Sequence, residues 1–184
     1  MIGFEKPGYM NTDRTLGILR EEAGRRGIHQ VVVASTYGNT ALAAARLFEG
    51  SKTRVVVVTH NVGFKEPGAI EMTPGTRAEI EAMGARVHTG TMALRNIGTA
   101  IREKTGACQQ DLVSNTLRLF GQGMKVCVEI VLMAADAGLI TPDDVLAVAG
   151  TARGADTVAL IKPASSNHLF ELKVREVLAK PREW

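Results

Sequence analysis

The segment Val31–Phe48, VVVASTYGNTALAAARLF, runs an unbroken apolar block into Ser, Thr, Gly, Asn and Thr and then into a tract of alanines. Four apolar residues without alternation, mostly valine, are the pattern of a strand covered on both faces. The alanine tract that follows favours helix. A strand that passes through a small polar turn into a helix is the first half of a βαβ unit, so the segment points to a parallel sheet flanked by helices. The turn itself raises a chemical expectation. A helix start leaves backbone N–H groups unpaired at the positive end of aligned peptide dipoles, and small donors gathered there make an anion pocket.

Working outward, three more valine-rich runs follow the same pattern: Val55–Thr59, Val145–Ala149 and Val158–Ile161. The tract Ala85–Thr91 reads as a further, shorter strand. Helical patterns lie between them. Asn11 or Thr12 can cap a helix through Leu16 and Leu19 to about Arg26, where Gly27 stops it. A second helix spans Ala41–Phe48. Thr73 and Pro74 read as N-cap and first residue of a helix ending near Gly84. Leu94–Glu103, Leu112–Phe120 and Met124–Ala137 complete the series. The reading is a three-layer α/β/α sandwich with a mainly parallel, five-stranded sheet, in a single domain spanning residues 1–184. Lys173–Trp184 reads as a solvated helix or tail.

The chain has 184 residues, 45% of them hydrophobic, which is enough for one core and short for two ordinary domains. Lys and Arg outnumber Asp and Glu by 22 to 19, and the basic residues are scattered, so neither nucleic acid nor a membrane is the expected partner. Aromatic residues at 4% argue against a stacking surface for single strands. Cys108 and Cys127 lack metal-ligand spacing and read as core residues. A reduced, cytoplasmic protein with no bound metal is the expected setting.

Ligands of such folds gather at the carboxyl edge of the sheet, and three turns compete there. The first is Ser35-Thr36-Tyr37-Gly38-Asn39-Thr40, whose hydroxyl and amide donors exceed what helix capping needs. The second is Thr59-His60-Asn61-Val62-Gly63-Phe64. His60 there is an acid–base candidate or a hydrogen-bonding partner. The third, Gly150-Thr151-Ala152-Arg153-Gly154-Ala155-Asp156-Thr157, is an anion-facing loop or a glycine-rich connection. Neither the dinucleotide glycine fingerprint nor GxxxxGK[ST] occurs, and no catalytic triad can be named. Lys125 and Glu129, four apart, form either a helical ion pair or a ligand-facing pair near Gly121, Gly123 and Met124.

Three blocks then carry a resemblance. ASTYGNTALAAARLFEGSKTRVVVVTHN looks like the effector-binding part of the pyruvate kinase C-terminal domain, where a strand ends in a Ser/Thr-rich turn holding a sugar phosphate. AADAGLITPDDVLAVAG and GTARGADTVALIKPA are similar to that domain's later helix, turn and closing strands. THNVGFKEPG and GQGMKVCVEI instead resemble a set of small stand-alone proteins, chiefly archaeal, built on this domain alone. The resemblance implies strand order 3-2-1-4-5 with the last strand antiparallel, no phosphoryl transfer from phosphoenolpyruvate, and flavin mononucleotide (FMN) as cofactor with its phosphate at Ser35–Thr40. The loops after Thr59 and Gly150 would then border the ring, with Phe64, Met72 or Met124 as apolar cover and Asn61, Arg153 or Asp156 at its polar edge. A regulatory module for a phosphorylated metabolite, or an enzyme acting on one with His60 and Glu129 as titratable groups, is the alternative. Self-association through apolar residues of the final helix is expected by analogy with small α/β proteins.

Overall fold

The valine runs become the middle of a seven-stranded sheet. A computed structural model describes residues 1–184. In chain order the elements are β1 (Ile2–Phe4), α1 (Thr12–Arg26), β2 (Gln30–Ala34), α2 (Asn39–Phe48), β3 (Arg54–Val58), α3 (Pro74–Ala82) and β4 (Arg86–His88), then α4 (Asn96–Thr105), α5 (Gln109–Arg118), α6 (Gln122–Asp136), β5 (Val145–Ala149), β6 (Thr157–Lys162) and β7 (Lys173–Pro181). Short 3-10 turns occupy Tyr9–Asn11 and Ser166–Glu171.

The sheet order is β1-β7-β6-β5-β2-β3-β4. The four strands β5, β2, β3 and β4 are parallel, and β6 runs antiparallel to β5. These with β6 are the five strands expected from sequence, in the expected order. Two strands extend the sheet beyond that expectation: β7 pairs antiparallel with β6, and β1 pairs parallel with β7. The Lys173–Trp184 tract is therefore mostly strand, and the final helix expected to offer an apolar interface does not exist. β7 escapes notice because its first four residues are exposed and its pairing with β6 shifts register twice, so it shows neither a continuous apolar run nor clean alternation.

Burial on both faces explains the sequence of the central strands. Val31 and Val33 join a core with α1, α2 and α3, while Val32 joins a second core with α6 on the opposite face. Consecutive positions Val31 to Val33 are thus all apolar although neighbouring side chains point opposite ways. Helix ends follow local chemistry. Gly27 closes α1 in a left-handed conformation, and Thr73 Oγ1 accepts from the Thr76 N–H at 3.1 Å, with Pro74 at the first position of α3. No helix is long and apolar enough to cross a membrane.

Candidate functional site

From β2 the chain builds outward to β3 and β4, and from β5 it builds the other way to β6 and β7, so the strand order reverses between β2 and β5. At such a reversal the helices of the two sides lie on opposite faces and leave a crevice beyond the strand ends. A cleft of about 1090 Å³ occupies that place.

The α2 side of the cleft is built by the Ser35–Thr40 turn. Ser35 anchors it: its N–H donates to the Val58 carbonyl at 3.0 Å, and its Oγ accepts from the Ala41 N–H at 3.2 Å. Gly38 then turns the chain into α2 with φ of 106°, and a Cβ there would lie 2.2 Å from Thr76 Cγ2 of α3. The N–H groups of Thr36, Tyr37 and Gly38 have no acceptor within the chain, and the side chains of Thr36, Asn39 and Thr40 make no internal hydrogen bond. Ser35, Thr36, Tyr37, Asn39 and Thr40 all face the cleft. Gly38 does not form its wall; it shapes the turn.

The β3 side supplies Thr59, His60 and Phe64. Thr59 Oγ1 is occupied by the His60 carbonyl at 2.8 Å and by Thr89 Oγ1 at 2.7 Å. The His60 ring stacks on Phe64 with centroids 3.8 Å apart and meets Glu71 Oε1 at 3.2 Å. The Arg95 guanidinium lies 4.6 Å from the Phe64 ring centroid. Asn61 and Gly63 stay out of the cleft and hold the loop: Asn61 Oδ1 accepts from Asn96 Nδ2 at 2.9 Å, and the Gly63 N–H donates to the Ala69 carbonyl at 2.8 Å.

The β5–β6 loop contributes Gly150, Arg153 and Gly154. Asp156 is wholly buried instead. It accepts from the Gly8 N–H at 2.9 Å, the Thr151 N–H at 3.0 Å and Thr157 Oγ1 at 2.8 Å, which ties the N-terminal segment, the loop and β6 together. Neither Asp156 nor Asn61 can meet the polar edge of a ligand in this arrangement. Thr151 and Thr157 likewise lie outside the wall. Gly123 serves packing, since a Cβ would lie 2.1 Å from Thr157 Oγ1, and α6 could not approach β6 so closely. Met72 and Met124 are buried in the two cores; Met92 and Met133 line the cleft in their place.

From α6 come Lys125 and Glu129, which form an ion pair and also line the cleft. Glu129 Oε1 accepts from the Leu94 N–H at 3.0 Å. Burial pushes the Lys125 amine below its ordinary value, with the Glu129 carboxylate opposing. Arg95, in the loop before α4, and Arg118, at the end of α5, also line the cleft. Nothing in the sequence singled them out, because each is an isolated arginine in an unremarkable amphipathic stretch.

No family model matches the chain. Among solved structures, a pyruvate kinase from Cryptosporidium parvum is matched over 83% of this chain and 23% of its own, at 15% identity and a TM-score of 0.44. The Cryptosporidium parvum pyruvate kinase in complex with ADP is matched over 83% of this chain and 24% of its own, at 15% identity and 0.44. An O-ureido-L-serine synthase is matched over 52% of this chain and 30% of its own, at 21% identity and 0.33. The chain spans about a quarter of the length of the pyruvate kinases it matches. Likenesses of this extent assign no ligand or activity; the α/β class stands on the sheet and its flanking helices.

Proposed function

We propose that the cleft binds a phosphorylated small molecule with its phosphate at the Ser35–Thr40 turn, and that this molecule is FMN. The observation that carries the reading is the set of three consecutive N–H groups, Thr36 to Gly38, without internal acceptors beside the unbonded side chains of Thr36, Asn39 and Thr40 at the start of α2. Such donors favour a dianion held in a fixed position.

FMN is preferred over a smaller phosphate for three reasons. The cleft, at about 1090 Å³, slightly exceeds the usual range for one drug-sized ligand, room that a sugar phosphate would not fill. Met92, Ile130, Met133 and Phe64 give it apolar walls suited to a flat ring. The sequence resembles stand-alone proteins for which FMN is the implied ligand. Bound flavin supplies electron- or hydride-transfer chemistry. The chain's own part is to fix the phosphate through the turn and exclude water with the methionines and Phe64. A sensor or an enzyme for a phosphorylated metabolite is the second reading, favoured by Arg95, Arg118 and Arg153, none of which pairs with a carboxylate.

A fluorescence titration with FMN and riboflavin tests the reading. FMN binds with its emission quenched, and riboflavin, lacking the phosphate, binds at least about tenfold more weakly, the worth of one charge-assisted hydrogen bond. Equal affinity for the two would remove the phosphate from the turn, and binding of neither, with a sugar phosphate bound instead, would favour the second reading.

A further inference from the structure

The cleft has two walls on different faces of the sheet. The phosphate turn belongs to α2, on the side of the first core, whereas Lys125 and Glu129 belong to α6, on the side of the second. Its volume exceeds what one phosphate end and its immediate neighbours would fill.

Lys125 is only 5% exposed, yet it faces the cleft. An ammonium group has three N–H donors, and within the chain only Glu129 accepts from this one. Glu129, 1% exposed, meets the ammonium through one oxygen and the Leu94 N–H through the other. Two donors of a nearly buried cation therefore point to no protein acceptor, an arrangement that is costly unless a bound group supplies one. Arg118 adds to this. Its Nε donates to Gln122 Oε1 at 3.0 Å and its Nη1 to Asn115 Oδ1 at 2.9 Å, both neutral, while Nη2 has no partner. Arg95 makes no hydrogen bond through its side chain and rests against the Phe64 ring. The only carboxylates in the wall are Asp13 and Glu129, against Arg95, Arg118, Lys125 and Arg153.

We infer that Lys125, flanked by Arg118 and Arg95, forms a second anion subsite that takes the carboxylate of a small molecule bound at the same time as the phosphate at the α2 turn. The inference deepens the proposed function and rests on it: if the phosphate end holds FMN, the carboxylate belongs to the substrate presented to the ring. An ionised oxygen at Lys125 completes the donors that Glu129 leaves free, and the planar guanidinium of Arg118 suits a two-oxygen partner.

The test is a crossed pair of titrations by calorimetry on the whole chain, with inorganic phosphate and FMN as probes of one subsite and malonate and succinate as probes of the other. One variant is Thr36→Ala with Thr40→Ala. The other is Lys125→Met with Glu129→Gln, which removes one charge of each sign and so leaves the net charge of the cleft unchanged; the glutamine carbonyl still accepts from Leu94. The wild-type chain is expected to bind dicarboxylate while saturated with phosphate. The α6 variant should lose dicarboxylate affinity by about tenfold or more with phosphate and FMN affinity retained, and the turn variant should show the reverse. Should the α6 variant fail to fold, Arg118→Gln, on a half-buried side chain, is expected to weaken dicarboxylate alone by a smaller factor. Competition between dicarboxylate and phosphate for one site, undiminished dicarboxylate binding to the α6 variant, or no dicarboxylate binding to the wild type would each overturn the inference. Dicarboxylate binding that depends on Lys125 without any binding of phosphate or FMN would overturn the phosphate reading and leave the second subsite standing.

Discussion

Gly38 shows how a residue that shapes a turn beside the cleft is also bound by the fold. Its φ of 106° and the 2.2 Å approach a Cβ would make to Thr76 mean that Gly38→Val strains the backbone and pushes α3 away. The expected result is destabilisation by about 2 kcal/mol or more, read by urea unfolding, before any effect on ligand is considered. Thr36→Ala and Thr40→Ala are the cleaner probes, because neither side chain has an internal partner to lose. Each should leave unfolding nearly unchanged and weaken FMN by roughly 1–3 kcal/mol in calorimetry. Asp156→Ala should behave oppositely: loss of three hydrogen bonds to a wholly buried carboxylate costs about 3 kcal/mol or more of stability. That the Ser35–Thr40 turn gathers unpaired donors at a helix start was legible in the sequence because those donors are local. Asn61, Asp156 and Gly123 were misleading because their partners are remote in sequence; only the folded chain shows that Asn61 bonds to Asn96, Asp156 to Gly8, and that Gly123 makes room for Thr157.

Elements bind the two ends of the chain to the sheet. At the end of α1, Arg26 forms a bidentate pair with Glu176 of β7, both contacts at 2.7 Å, and its Nε meets Glu22 at 2.6 Å. The guanidinium beside them holds both carboxyls below the usual glutamate range; for Glu22, Arg25 is the larger cause and Arg26 the second. A lowered folded value contributes stability above the ordinary carboxyl titration and loses it as pH falls through the folded value. Arg26→Gln is therefore expected to be less stable than wild type near pH 7, with the difference shrinking toward about pH 3, as followed by urea unfolding at each pH. A difference that grows on acidification would contradict the pairing. The loop between β3 and α3 is another separable element. It closes on itself through Gly63 and Ala69 and touches the cleft through His60 and Phe64, yet most of its residues are exposed. Amide exchange across Val62–Met72 should slow when FMN is added, and equal exchange in both states would leave the loop a structural connection. Strand β7 was not legible for a reason of the same scale: a partly exposed, bulged strand carries charged residues where a central strand carries valine.

At the scale of the whole molecule, the reversal of strand order between β2 and β5 decides where chemistry can occur. It brings the α2 turn from one face and α6 from the other to a single cleft, with the loops after β3 and β5 between them. Strands β2, β3, β5 and β6 were legible because each is buried on both faces and reads as a valine-rich run, the short edge strand β4 was read from its own tract, and the resemblance supplied the order. The cationic half of the cleft was not, since Arg95 and Arg118 are brought there by helix packing and no local pattern marks them. The most direct test of FMN binding is retention of the flavin by the purified chain. After incubation with FMN and removal of free ligand by gel filtration, the protein fraction should carry a flavin absorbance spectrum in equimolar amount, with quenched fluorescence, and the same procedure with riboflavin should leave it colourless. A wild-type chain that elutes folded and without flavin, and whose binding of a sugar phosphate is unaffected by excess FMN, would contradict it.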